Sequence, residues 1–210
     1  MDATTLAAAE RDDFADLLHG LSGQQWEAPS LCGHWRVRDV AARVISYLGR
    51  GRVEFATTLA EHRFHLDRLN NADVRTCSTW SKEGLADAMG GLVTSKGVAS
   101  GFGGRIALVE CMIHQQDIRR PLQLSRTIPA DRLRAALDFT KIAPLIRGGW
   151  YTRGVRLIGT DIDWSGGNGP EVRGPGEALL LAMARRPSAL VDLAGPGVAI
   201  LRKRSDRGRN

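Results

Sequence analysis

The stretch Arg105-Ile-Ala-Leu-Val-Glu110-Cys-Met-Ile-His114-Gln-Gln-Asp117-Ile-Arg119-Arg120-Pro121 decides how the rest of the chain is read. Its apolar positions Ile106, Val109, Met112 and Ile113 recur at three- and four-residue steps, the period of an α-helix, and Pro121 closes it. Glu110 and His114 stand four apart, so both side chains leave one face with Cβ atoms about 5–6 Å apart. A carboxylate and an imidazole so placed can fill two corners of a divalent ion's coordination shell. Asp117 shares that face and can accept the proton on the other ring nitrogen of His114. Glu-x-x-x-His pairs are common on solvated helices. The apolar surface around this one sets it apart, because a carboxylate buried there needs a cation or several donors.

Outward from this helix the pattern stays helical toward the N-terminus. Residues 4–21 carry Leu6, Ala9, Phe14, Leu17, Leu18 and Leu21 on one stripe and predict an amphipathic helix stopped by Ser22-Gly23. A loop through Pro29 and Gly33 follows. Val37, Val40, Ala41, Val44, Ile45 and Leu48 predict a second helix, bent at Gly49 and Gly51 and resuming through Phe55, Leu59, His62, Leu66 and Leu69 as far as Asn70-Asn71. Ser81 predicts the N-cap of a third helix reaching about Lys96, and Pro129 with Asp131 starts another to about Ile146. The character changes at Gly148-Gly149. Residues 154–164 alternate like a strand, SGGNGP is a turn, EVRG a short partner strand, residues 176–186 a helix, and Val198 to Leu201 a last strand. The fold class expected is therefore α+β: an up-down four-helix bundle over 1–147, a small C-terminal α/β lobe over 148–204 and a basic tail over 205–210.

Composition narrows the classes. With 43% hydrophobic and 25% charged residues among 210, the chain is ordinary globular material, and it lacks an apolar run long enough to span a membrane. The acidic start without a basic n-region argues against export, and three scattered cysteines (Cys32, Cys77, Cys111) fit a reducing cytoplasm. The net charge of +6 raises nucleic acid as a partner. However, 25 of the 29 cations are Arg, dispersed from Arg11 to Arg209, a bias that a GC-rich genome produces by itself. Nucleic acid is accordingly ranked last. Cys111 reads as a small buried hydrophobe, and Cys32 is expected to pack beneath Trp35. Trp80 and Trp150 are the aromatic residues that could line a pocket.

Two segments carry a resemblance. Trp26-Glu-Ala-Pro29-Ser-Leu-Cys32-Gly-His34-Trp35-Arg-Val37-Arg-Asp39-Val40 and Glu110-Cys-Met-Ile-His114-Gln-Gln-Asp117-Ile-Arg119-Arg120-Pro121-Leu122 look like the motifs of the mycothiol-dependent maleylpyruvate isomerase family, a branch of the DinB-like bundles. Asp161 to Trp164, Gly169 to Pro175 and Arg186-Pro187 resemble its C-terminal part. The resemblance implies a bundle holding a divalent metal, usually zinc, on two histidines and a glutamate. It also implies that mycothiol, the low-molecular-weight thiol of actinobacteria, acts as cosubstrate, its thiolate attacking a small electrophile in an isomerisation or S-transfer. Glu110 and His114 carry over as ligands. The other histidine position is Arg43, which cannot ligate a metal because it stays protonated. Two outcomes follow: a metal kept with a substitute ligand from His34, His62, His65 or Asp117, or an Arg43–Glu110 ion pair in a metal-free small-molecule-binding or regulatory descendant. Arg186 is the expected catalytic cation for an anionic substrate. The expected partners are a small thiol and a small electrophile, and a homodimer is the assembly considered.

Overall fold

The computed structural model describes residues 2–77, 79–92, 100–144 and 146–207. They form two compact units, residues 1–125 and 126–210, so the division falls at 125/126 and not at the expected 147/148. The reason is α8 (Ala130–Ile142), which packs with α9 (Gly148–Tyr151) and α10 (Gly176–Met183) of the second unit.

The first unit is helical: α1 (Ala3–His19), α2 (Gly23–Glu27), α3 (Val37–Gly49), α4 (Arg52–Glu61), α5 (Leu66–Thr76), α6 (Lys82–Gly91) and α7 (Arg105–Arg119). α7 packs on both α1 and α3, which also pack on α6. It is buried nearly all round, from Ala107 to Ile118. Caps set the entries: Asp2 Oδ1 accepts from the Thr5 amide at 2.8 Å, Ser81 Oγ from the Gly84 amide at 3.0 Å, and Asp39 Oδ2 from the Arg36 amide at 2.9 Å. Leu18, Leu48, Leu108 and Met112 lie fully inside.

Several boundaries differ from the sequence reading. The loop after residue 22 contains α2, closed by a reciprocal capping box between Ser22 and Gln25. The helix expected to run on to Asn70-Asn71 breaks at residues 62–65, where Arg63 and Phe64 adopt positive φ. It restarts as α5, and both asparagines sit inside it; Asn71 Oδ1 accepts from Trp35 Nε1 at 3.3 Å. α6 is described to Gly91, and Lys96 lies outside the described residues.

In the second unit β1 (Arg156–Gly159), β2 (Ser165–Gly166) and β3 (Glu171–Gly174) form a sheet of order β2-β1-β3. β1 pairs antiparallel with β2 (Leu157 opposite Gly166) and parallel with β3 (Leu157 opposite Val172). Gly149 permits the close approach of α9 to α8, since a Cβ there would lie 2.5 Å from the Lys141 carbonyl oxygen. Residues 198–201 are not a strand. They open α11 (Val198–Arg207), whose Val198 and Leu201 point inward one helical step apart, and residues 205–207 of the expected tail continue that helix. No helix among the described residues is long and apolar enough to cross a membrane.

Candidate functional site

α3 and α7 of the first unit bring Arg43, Glu110 and His114 together, with Asp117 one turn further along α7. Arg43 Nη1 donates to Glu110 Oε2 in a very short ion pair and lies 2.9 Å from His114 Nε2. His114 Nε2 is 3.6 Å from Glu110 Oε2. On the other side of the ring, His114 Nδ1 is 2.9 Å from Asp117 Oδ2. Asp117 is fully buried, and the Arg43 and Glu110 side chains are each 13% exposed.

Cys32 completes the cluster, a place the sequence reading did not give it. The segment around it docks on the end of α7 through the Leu31 amide and the Asp117 carbonyl at 3.0 Å. Cys32 Sγ then donates to Asp117 Oδ2 at 3.0 Å and stands 3.8 Å from His114 Nδ1. The signal available was the Pro29 and Gly33 turn chemistry, which aims the loop but does not say at what. Tyr47, one turn after Arg43, places its ring 5.2 Å from the guanidinium carbon and edge-on to Phe55. Its buried hydroxyl has no hydrogen-bond partner among the described residues, and burial, then the Glu110 charge, push its pKa up.

Charge settles who holds what. Burial pushes the Glu110 carboxyl up, but the Arg43 charge, the nearby His114 ring and the Arg43 hydrogen bond outweigh it and hold it well below the ordinary carboxylate range. Burial lowers Arg43 as well, and the Glu110 charge and hydrogen bond more than restore it. For His114, burial and the Arg43 charge push the pKa down, while hydrogen bonds with Asp117, Cys32 and Glu110 raise it to about 10. The 2.9 Å contact with Arg43 is a hydrogen bond only if Nε2 carries a lone pair, which assigns the proton to Nδ1, facing Asp117. The raised value already includes the opposing Arg43 charge; it describes uptake of a second proton at Nε2, toward Glu110, in competition with the Arg43 contact.

The metal implied by the resemblance does not fit this face. The two groups that would hold it, Glu110 Oε2 and His114 Nε2, are both taken by one guanidinium nitrogen, whose charge repels a dication. Among the described residues, His34, His62 and His65 do not join the metal-capable group of Cys32, His114 and Asp117. His62 caps α4, and His65 Nδ1 bonds the Arg63 carbonyl oxygen at 2.7 Å. On the other face Cys32, His114 and Asp117 offer ligand atoms within 4.8 Å of one another, a set that could hold an ion in place of the shared protons. Arg186 belongs to the second unit, where its Nη1 donates to the Ala184 carbonyl at 3.0 Å.

Fold and site define a helical-bundle protein whose central helix presents a buried carboxylate–imidazole pair to a cation. Comparisons show what the chain is similar to. Residues 7–62 match the family model of the mycothiol maleylpyruvate isomerase N-terminal domain. Among solved structures, that of the mycothiol-dependent maleylpyruvate isomerase is similar at 14% identity, and that of a histidine-to-alanine mutant of the isomerase at 15%. Each match covers 92% of this chain and 91% of the other, with a TM-score of 0.53. At such identity the likeness is one of fold. No curated protein matches the chain. The resemblance drawn from the sequence is supported, by the family model over α1–α4 and by fold over most of the chain.

Proposed function

We propose that this chain is a thiol-using isomerase or S-transferase of the mycothiol-dependent maleylpyruvate isomerase type, built on a DinB-like bundle, in which Arg43 takes the place of the divalent ion. One observation carries the reading: Arg43 Nη1 contacts both Glu110 Oε2 and His114 Nε2, on the two side chains that the resemblance implies would hold a metal. A thiol reaching Arg43 meets a fixed positive charge, which favours thiolate over thiol. As the sulfur displaces Nη1 from Nε2, that ring nitrogen accepts the S–H proton while Nδ1–H stays on Asp117. Glu110 keeps Arg43 in place and Arg43 holds the thiolate. Addition to a carbon–carbon double bond, rotation and elimination return the thiolate and give the isomer. Addition followed by return of the His114 proton to the carbon gives a lasting S-conjugate. The resemblance supplies mycothiol as the thiol and a small conjugated electrophile as its target. A binding or regulatory protein with the same pocket is the second reading, favoured by how fully Arg43 neutralises Glu110.

Metal analysis of protein purified without a histidine tag, with calorimetric titration of mycothiol, tests this. The native chain is expected to hold no stoichiometric zinc and to bind mycothiol, while Arg43→His gains zinc. Stoichiometric zinc in the native chain overturns the metal-free reading. Failure of both proteins to bind mycothiol overturns the thiol reading.

A further inference from the structure

A cleft of about 550 Å³ opens in the second unit, lined among others by Trp150, Tyr151, Arg153, Arg185, Arg204 and Arg207. Its arginines come from three places: the turn after α9, the turn after α10, and α11. Among the described residues, Arg153, Arg185 and Arg204 meet rings and carbonyls. Arg153 stacks 4.2 Å from the Trp150 ring and donates to the Trp150 carbonyl at 2.9 Å. Arg204 donates to the Tyr151 carbonyl at 2.7 Å, and Arg185 lies 5.4 Å from the Tyr151 ring. Arg147 flanks the other partner of this stack, 5.2 Å from Trp150. A ring face takes no N–H in the guanidinium plane, so the ring contacts of Arg153 and Arg185 leave the donors that no carbonyl accepts available to a ligand.

Two further observations show that the arrangement is held against a cost. Arg185 and Arg147 occupy the left-handed backbone region, at φ of 60° and 55°, where glycine or asparagine is the usual occupant. Arg204 is held below the ordinary guanidinium value by burial and then by the like charge of Arg153. Like charges crowded about one opening favour an anion there.

We propose that this cleft binds a polyphosphate group, that is, two or more linked phosphates, free or carried by a small molecule. Guanidinium forks match carboxylate and phosphate alike, but here they belong to separate elements around the opening. A planar carboxylate offers its oxygens along one edge, whereas linked tetrahedral phosphates offer them in many directions with several negative charges in a small volume. The site lies wholly in residues 150–207 and does not depend on how the first unit uses Arg43.

Calorimetric titration of the full chain with tripolyphosphate, pyrophosphate and orthophosphate at low and high salt tests the proposal. One-to-one binding is expected, with tripolyphosphate at least tenfold tighter than orthophosphate and affinity falling as salt rises. Arg153→Gln and Arg207→Gln should each weaken tripolyphosphate about tenfold or more, with the unliganded melting temperature unchanged. Arg202→Gln, outside the cleft, should leave binding as it was. Absence of saturable binding, equal affinity for orthophosphate, or loss in Arg202→Gln without loss in Arg153→Gln would overturn it. So would tighter binding of a single-stranded oligonucleotide or an anionic vesicle than of tripolyphosphate.

Discussion

At the site of the first unit charge is inside and paired with its opposite; at the cleft of the second it lines an opening and meets its like. Arg43 sits between Glu110 and His114 with little exposure, whereas Arg153, Arg185, Arg204 and Arg207 gather around a cleft against rings and carbonyls. The difference follows from solvation. A charge removed from water must find a counter-charge at short range, while one left at a surface can tolerate its neighbours and wait for a ligand. Changes at the buried pair should therefore register as stability, and changes at the cleft as binding.

The sharpest break is Arg43→Met, which leaves Glu110 buried without its partner. It should cost about 3–5 kcal/mol in urea unfolding, and Arg43→Met combined with Glu110→Gln should cost clearly less than Arg43→Met by itself. If the two variants lose the same amount, the pair is not what holds α3 to α7. Acid should act on the same pair. Because the folded Glu110 pKa lies below its ordinary value of 4.5, its contribution is complete above that pH and is lost as pH falls below it. Urea midpoints measured from pH 7 to pH 3 should drop more steeply for the native chain than for the Arg43→Met variant. Gly149→Ala in the second unit forces a Cβ to 2.5 Å from the Lys141 oxygen and should cost about 1–3 kcal/mol, seen as a lowered melting temperature. Arg153→Gln should stay within about 0.5 kcal/mol of the parent in the same measurement, as a surface change does. Tyr47→Phe is also a small change: it removes a hydroxyl that has no partner among the described residues, and its unfolding free energy should differ from the parent by under about 1 kcal/mol.

The same contrast explains what the sequence revealed. The helices of the site were legible because burial imposes a period: Val37, Val40, Ala41, Val44 and Leu48 on α3, and Val109, Met112 and Ile113 on α7, are all buried. The spacing of Glu110, His114 and Asp117 placed them on one face, and the arginine where a histidine was expected pointed to the ion pair that the structure contains. Cys32 was missed because it comes from a loop, and loop direction is set by a backbone hydrogen bond to Asp117 that has no periodic signature. Residues 198–201 were misread because four apolar residues fit a strand or a buried helical turn equally well, and only the neighbours that accept Val198 and Leu201 decide between them. The arginine cleft was hidden for the opposite reason. Its members lie up to 54 positions apart, from Arg153 to Arg207, in a chain where arginine is everywhere.

The tie between the Leu31 amide and the Asp117 carbonyl has a kinetic consequence. The strip of chain bearing the sulfur of Cys32 cannot lift away without releasing the end of α7, where the carboxylate steering the His114 proton resides. Exchange of the Leu31 amide with deuterium and rotation of that imidazole should accordingly share one opening rate, making a single hydrogen a clock for the whole pocket.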